Sequence, residues 1–511
     1  MKKRTHKVSF KSYNPNQIML LPPSLEDKIE NNHPVRIVNS IIDRLDITQL
    51  RESYSGGGAP SYYPRMMLKV WVYGYLRNIY SSRKLESAIK QNIHFMWLTA
   101  MQEPDHNTLN RFRSGKLKDT LKEIFVQVVE LLVEEGFVSL KEVYVDGTKI
   151  EANANKYTFV WGRGIQTNKN RIGRQLKELW AYAQSVAKEE MDANQPEDYD
   201  QIDTEKVNRV ISKIDNALNG KEIDKEKRQK LNYAKKHWPK NMEKYEQQQE
   251  LLGSRNSYSK TDPDATFMRM KDDHMKNGQL KPAYNLQLST YDQFVLNYNL
   301  YQTTTDTTVL IEHLEGFNNL FNEMPDSVTT DAGYGSEENY EYLDENQIEA
   351  FVKYNYFHME QTKKYKNDPF KTANLYYNEQ QDCYYCPMGQ QMRYIGQYKK
   401  KTPNAYEQTY SRYQAQNCQG CPLRGACHKS KTNRIIEVNH KLNAYKKQAR
   451  ELLMSDQGIA HRKKRPADVE ATFGQIKQNM KFDRFNLRGI EKAETEIGLI
   501  SIAHNIKKMC A

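Results

Sequence analysis

The stretch that most constrains this chain is Val143-Tyr144-Val145-Asp146-Gly147-Thr148-Lys149-Ile150. A β-branched and aromatic run of this length reads as a strand, and Gly147 punctuates it directly after the acid. A bare carboxylate is costly to bury, so Asp146 needs a partner, a metal or water. An edge strand with the side chain in solvent would meet that need equally well. Two later stretches bear on the choice. Val328-Thr329-Thr330-Asp331-Ala332-Gly333-Tyr334-Gly335 repeats the pattern of short β run, acid and glycines, and Ala467 to Lys477 carries a third acid, Glu470, on a helix.

The elements around these acids suggest one sheet. From Ala283 the apolar period is two (Tyr284, Leu286, Leu288), and a turn at Asp292-Gln293 leads into Val295 to Tyr301, which together read as a β-hairpin. Thr307 to Phe321 is an amphipathic helix, and a further helix starts at Glu337. Strand with acid, hairpin, helix, strand with acid and helix with acid fit a mixed five-stranded sheet flanked by helices.

Three carboxylates on separate elements suit a hard cation, which takes a few carboxylates and keeps sites for water and phosphate oxygens. Two such ions about 4 Å apart hold the attacking and leaving oxygens of an in-line phosphoryl displacement. On the third element, Val469, Phe473, Ile476 and Met480 form an apolar stripe, with Glu470, Gly474 and Lys477 on a neighbouring face. A glycine inside a helix costs about 1 kcal/mol relative to Ala. Either the close approach of a DNA backbone or packing against a neighbouring helix would explain it. A rival acid cluster, Asp262, Asp264, Asp272 and Asp273 with His274, lies in a polar segment without a strand and reads as loop and turn chemistry.

With 511 residues the chain exceeds a single ordinary core, and a net charge of +12 favours a polyanionic partner. Pro64 opens a helix bearing Leu68, Trp71, Val72 and Tyr75, and Ser82 can cap a second. Pro104-Asp105-His106-Asn107-Thr108 starts a third that carries Leu109, Phe112, Leu117, Leu121 and Phe125, with Arg111 and Arg113 near its start. Such short helices with basic residues suit a helix-turn-helix-like DNA module, or equally a packing domain. Residues 164–255 are helical and heavily charged, either a solvated arm or a groove-lining contact.

Six cysteines in so long a chain are no disulfide framework, and a reducing cytosol suits them. No apolar run approaches eighteen residues, and no apolar signal core follows Met1-Lys2-Lys3-Arg4. Cys383-Tyr384-Tyr385-Cys386 and Cys418-Gln419-Gly420-Cys421 present two C-x-x-C pairs, which predict a closed structural Zn²⁺ site on a small ribbon. Cys427 is a spare, His428 a weaker candidate, and free thiols are the alternative.

Taken together, several of these stretches resemble the DDE transposases of bacterial insertion sequences, related to the IS-four-like enzymes, and specifically the group named after insertion sequence eleven-eighty-two. The resemblance is carried by Tyr63-Pro64, Ser81 to Glu86, Phe95 to Thr99, Pro104 to Thr108, Tyr144 to Lys149, Asp331 to Gly335 and Val469 to Lys477. It implies an RNase H-like catalytic domain with Asp146, Asp331 and Glu470 as the catalytic triad holding Mg²⁺ or Mn²⁺. It also implies a bacterial, nucleoid-associated protein that acts on double-stranded DNA (terminal inverted repeats and target) as a homodimer assembled there. Arg111, Arg113, Lys149, Arg462, Arg465 and Lys477 are the expected DNA contacts. Related enzymes place Tyr, Arg and Lys seven before, four before and seven after the glutamate. Here those positions hold Lys463, Pro466 and Lys477, with Arg462 and Arg465 near enough to substitute. The expected division is a helical DNA-binding domain over 1–136, a catalytic domain in three pieces (137–163, 256–364 and 438–511), a charged helical insertion over 164–255, and a Cys-rich zinc-ribbon-like insertion over 365–437.

Overall fold

The computed structural model describes residues 24–54, 60–187, 199, 201–270 and 278–510. The basic start, the glycine run at 56–58, and Asp272, Asp273 and His274 lie outside the described residues.

The strands, in chain order, are β1 (Glu142–Glu151), β2 (Phe159–Trp161), β3 (Ser257–Ser259), β4 (Thr266–Arg269), β5 (Leu280–Tyr291), β6 (Phe294–Tyr301), β7 (Ser327–Thr330) and β8 (Glu349–Val352). After these come β9 (Tyr376–Asn378), β10 (Cys383–Tyr385), β11 (Gln391–Lys401), β12 (Glu407–Ala415) and β13 (Ile435–Val438). The main sheet is mixed and centred on β1. That strand runs antiparallel to β5 and parallel to β7, which is in turn parallel to β8. Both β6 and β4 pair with β5, so the sheet has six strands where five were expected. The short β4 was missed because its four residues give the alternation too little length to register.

The β5–β6 hairpin turns through Asp292 and Gln293, both with positive φ (45° and 66°), the backbone of a two-residue turn that follows the twist of its strands. The helix Ile490–Met509 is buried on nearly every side from Ala493 to Ile506, as a helix in the middle of a core must be. It packs on the helices Pro64–Leu76 and Leu121–Glu134 and on β6. The helices expected as a domain over 1–136 therefore share one continuous apolar core with the sheet. Asp105 caps the helix His106–Arg111, accepting from Thr108 N–H at 2.7 Å. The expected long helix is broken after that by a π turn at Phe112–Lys116 and resumes only at Leu121. The second helix runs Ser82–Gln91 with Ser81, not Ser82, in the capping position.

Two other regions have cores of their own. The helices Gly162–Val186, Thr204–Leu218 and Lys225–Leu252 pack around Leu176, Val210, Ile214 and Trp238. Residues 376–438 form a five-stranded antiparallel sheet in the order β13-β12-β11-β10-β9, around Tyr384, Met392, Tyr413 and Ile436. This is more than the small ribbon expected. Its longest strands, β11 and β12, are rich in Tyr, Lys and Gln and bury few of them, so no apolar period advertised them. Among the described residues, no helix is long and apolar enough to cross a membrane.

Candidate active site

Asp146 lies in the central strand, 5% exposed and opposite Leu288. The parallel pairing of β1 with β7 ends at Tyr144↔Thr329, two residues before Asp146 on one strand and Asp331 just beyond the other. Asp331 directly follows β7 and accepts the Gly333 N–H at 2.8 Å, fixing the turn that follows. The register thus carries the two acids towards the same end of the sheet, and both act on the Tyr334 phenol.

The third acid arrives on an irregular helix. An α-helix Asp456–Arg465 passes into a π turn at Pro466–Glu470, returns to α at Ala471–Gly474, and ends in a second π turn at Gln475–Asn479. Proline lacks an N–H, so the regular i→i−4 ladder cannot pass through position 466, and a π turn widens the helix there. The apolar stripe is buried as expected: Val469 0%, Phe473 8%, Ile476 1% and Met480 0%. Gly474 has open space where a Cβ would stand, so packing against a neighbouring helix does not explain it.

Arg465 joins the site. Its guanidinium stands 3.1 Å from Asp146 Oδ2 and 2.7 Å from Glu470 Oε1, with the side chain 6% exposed. A π turn closes i→i+5, so the arginine five residues before the glutamate reaches it as one four residues before would on an α-helix. Lys353 stands near the same group. Burial, with Arg465 and Arg462 close by, holds its ammonium below the usual lysine range.

Sequence reasoning missed a fourth acid. Asp306, in the polar run Thr303 to Thr308, accepts from Asn285 Nδ2 at 2.8 Å and Gln287 Nε2 at 2.9 Å. A Cβ on Gly147 would lie 2.6 Å from Asp306 Oδ1 and 2.3 Å from Gln287 Nε2. Gly147 is therefore required for close approach as well as for the break in the strand. The Tyr334 hydroxyl donates to Gln287 Oε1. Burial, then Asp306, Asp146 and Asp331, push that phenol well above the usual tyrosine range. The one signal available for Asp306 was an acid soon after a strand end, without glycines to mark it.

The expected DNA contacts divide. Arg111 is exposed, and Lys149 is half-buried. Lys477 Nζ donates to the Lys149 carbonyl at 3.0 Å. The Arg462 guanidinium lies over the Phe357 ring at 5.4 Å. Arg113 is a correction: it is 2% exposed, pairs with the buried Glu496 at 3.2 Å, and lies over the Trp71 ring at 4.2 Å. Its position near a helix start misled, because the π turn rotates it into the core. Arg465, held between two carboxylates, likewise faces inward and not towards solvent. Asp262 is structural too: the Tyr284 hydroxyl shares its proton between the two carboxylate oxygens, and Gly489 N–H donates to one of them.

None of the six cysteines is in a disulfide. Cys386, Cys418, Cys421 and Cys427 line one small cavity with His428 and Arg434, while Cys383 does not reach it. Among the described residues, no three His, Cys, Asp or Glu side chains stand as a ready-formed metal site. The donor chemistry nonetheless suits a hard cation at the carboxylates and a thiophilic one at the cysteines. Asp146 and Glu470 already share a positive charge, that of Arg465.

Residues 385–510 match the family model described as a transposase DDE domain. Residues 23–115 match a second, described as Transposase domain (DUF772). No curated protein and no solved structure matches the chain. The first match takes in Glu470, Arg465 and the four cavity cysteines but begins after Cys383. Asp146 and Asp331 lie between the two matches, so their assignment rests on the register of β1 and β7.

Proposed function

We propose that this chain is a DNA transposase of the DDE type, of the insertion sequence eleven-eighty-two group, built on an RNase H-like sheet. The observation that carries the reading is the approach of Asp146 on β1 and Asp331 just beyond β7 to the same end of the sheet, with Glu470 tied to Asp146 through Arg465. The strand order, with a hairpin on one side of β1 and two parallel strands on the other, supports the fold assignment.

Asp146, Asp331 and Glu470 would hold the divalent cations and would orient the scissile phosphodiester. Mg²⁺ or Mn²⁺, when bound, supplies charge neutralisation at the phosphoryl oxygens and activates the attacking oxygen. Arg465 pairs with both Asp146 and Glu470 and offsets part of their charge. Tyr334 and Gln287 brace the base of the site. Water first attacks the phosphodiester at the element's end, freeing a 3′-hydroxyl; that hydroxyl then attacks a target phosphodiester and displaces a target 3′-oxygen. Lys477, Lys149, Arg462 and the open face at Gly474 take the DNA backbone, and Arg111 contributes at the end sequence. The sheet over 376–438 is a structural zinc module, and two protomers assemble on the paired ends.

The test is incubation of the full chain with DNA carrying its element's ends and Mg²⁺, mapping nicks and joints at single-nucleotide resolution. Metal-dependent 3′ nicking at the ends followed by joining is expected. Nicking without joining would reassign the chain as a DDE-like nuclease, and end binding without nicking as a non-catalytic descendant.

A further inference from the structure

The two C-x-x-C pairs make Cys383, Cys386, Cys418 and Cys421 the obvious zinc ligands, yet the fold separates Cys383 from the other three. Residues 383–385 form β10, paired on both sides with β9 and β11. An extended strand rises about 3.3 Å per residue, and residues three apart along it face opposite ways. A tetrahedral zinc with bonds of about 2.3 Å needs its sulfurs within about 4 Å of one another. A C-x-x-C pair achieves that on a turn, not on a paired strand. The Cys383 thiol is also already served: Gln391 Nε2 donates to its Sγ at 3.2 Å, and the thiol donates to Gln381 Oε1 at 3.8 Å.

The other cysteines are presented differently. Cys386 opens a tight turn in which the Gly389 N–H donates to the Cys386 carbonyl at 2.8 Å, with Gly389 at φ +73°. Cys418 and Cys421 flank a turn through Gly420 at φ +71°. Cys427 ends the single helical turn Arg424–Cys427. All four line a cavity of about 20 Å³, room for one water-sized particle.

Second contacts at this cavity suit thiolates. The Arg434 backbone N–H donates to Cys418 Sγ at 3.4 Å, and its guanidinium donates to Cys427 Sγ at 3.0 Å. Arg434 is 8% exposed and anchored by the Phe370 carbonyl at 2.8 Å, so its charge is fixed in place. N–H donors of this kind are the outer contacts that orient sulfur ligands around a metal. Both ring nitrogens of His428 are buried without a hydrogen-bond partner, so the wall carries an unsatisfied donor set beside Cys427.

We infer that a zinc ion is held by Cys386, Cys418, Cys421 and Cys427, with Cys383 outside the coordination shell and Arg434 as the cation that offsets the four thiolates. The inference rests on reading this sheet as a zinc module, and its test separates the two. The full chain purified from zinc-supplemented cells is analysed for metal, alongside Cys383→Ser, Cys386→Ser, Cys421→Ser and Cys427→Ser. About one zinc per chain is expected in the unaltered protein and in Cys383→Ser, with loss in the other three. Metal-free unaltered protein overturns the zinc reading itself. Zinc retained in Cys427→Ser and lost in Cys383→Ser overturns only this ligand set. Because a serine variant can lose zinc by misfolding, Cys427→His is loaded with Co²⁺. A tetrahedral spectrum with its thiolate charge-transfer band weakened by about a quarter supports Cys427 as a ligand, and a spectrum identical to the parent's rules it out.

Discussion

Strand β5 of the main sheet is buried without interruption from Pro282 to Thr290, whereas β11 of the second sheet buries only Met392. The first sheet has helices from both ends of the described chain packed against it and shares one large core with them. The second closes over a cluster of eight buried residues, ringed by tyrosine hydroxyls such as that of Tyr413, which donates to Asp382 at 2.6 Å. A large core can carry expensive polar groups, and the first sheet does so with the Arg465 pairs and the Arg113–Glu496 pair. A core of the second kind falls in the size range where burial alone is insufficient and a cross-link or metal completes the fold. The carboxylate site accordingly comes with its own counter-charge, while the cysteines converge on a cavity.

The largest effect expected is at the first site. Asp146→Ala, Asp331→Ala or Glu470→Ala should each cut end cleavage by on the order of a thousandfold or more, since each removes several kcal/mol of charge stabilisation. End binding by gel shift and zinc content should be unchanged. Near-normal nicking in Mg²⁺ by any one variant would take that residue out of the site.

Next is the cost of a polar group in the large core. Arg113→Ala should lower stability by about 3–5 kcal/mol, because Glu496 is left charged and buried. Arg111→Ala should leave the melting temperature alone and weaken end binding. Reversed outcomes in paired thermal melts and gel shifts would restore Arg113 to the DNA surface.

Acid separates the sheets through histidine. His313 and His504, both in the large core, are held down to about 3 and about 4 by burial. Both rings are neutral in the folded chain. The unfolded chain binds their protons below about 6.5, so stability falls as pH drops from there towards 4, by up to about 1.4 kcal/mol per pH unit for each ring. The five tryptophans all precede residue 376, so denaturant melts followed by tryptophan fluorescence report this loss apart from the second sheet. A flat profile from pH 6.5 to 4.5 would contradict it.

The smallest effect is at Gly474. With open space around it, Gly474→Ala should raise stability by up to about 1 kcal/mol while weakening DNA binding, if the backbone of DNA approaches there. Unchanged binding would leave the glycine without a role in recognition.

Much of the main sheet was legible because its strands obey a period of two or carry β-branched runs, and its hairpin turns on two residues. Asp146 and Asp331 stand out in the sequence for a related reason: an acid beside a β run and close to glycine is a costly local pattern. Asp306 was not, since it reaches the site from a threonine-rich loop that only tertiary packing directs. Arg465 was seen but misjudged, because linear spacing assumes an α-helix and the chain inserts a π turn. Cys383 lies on a strand paired on both sides, which the C-x-x-C spacing alone does not reveal. The second sheet was nearly silent, since strands that bury little leave no apolar rhythm.

The tip of the β5–β6 hairpin fastens the segment that bears Glu470. Asp468 Oδ1 accepts from Thr290 Oγ1 at 2.6 Å and from the Gln293 N–H at 3.1 Å, and Gln293 Nε2 donates to the Ala467 carbonyl at 2.9 Å. Thr472 and His504 both bond to the Gln293 carbonyl. The third acid is therefore referenced to a strand that pairs directly with the one bearing the first, as well as to Arg465 just before it. A change in the length or register of that hairpin would displace Glu470 relative to Asp146, so the two-residue turn at Asp292 and Gln293 governs the spacing of two acids that lie far apart in the sequence.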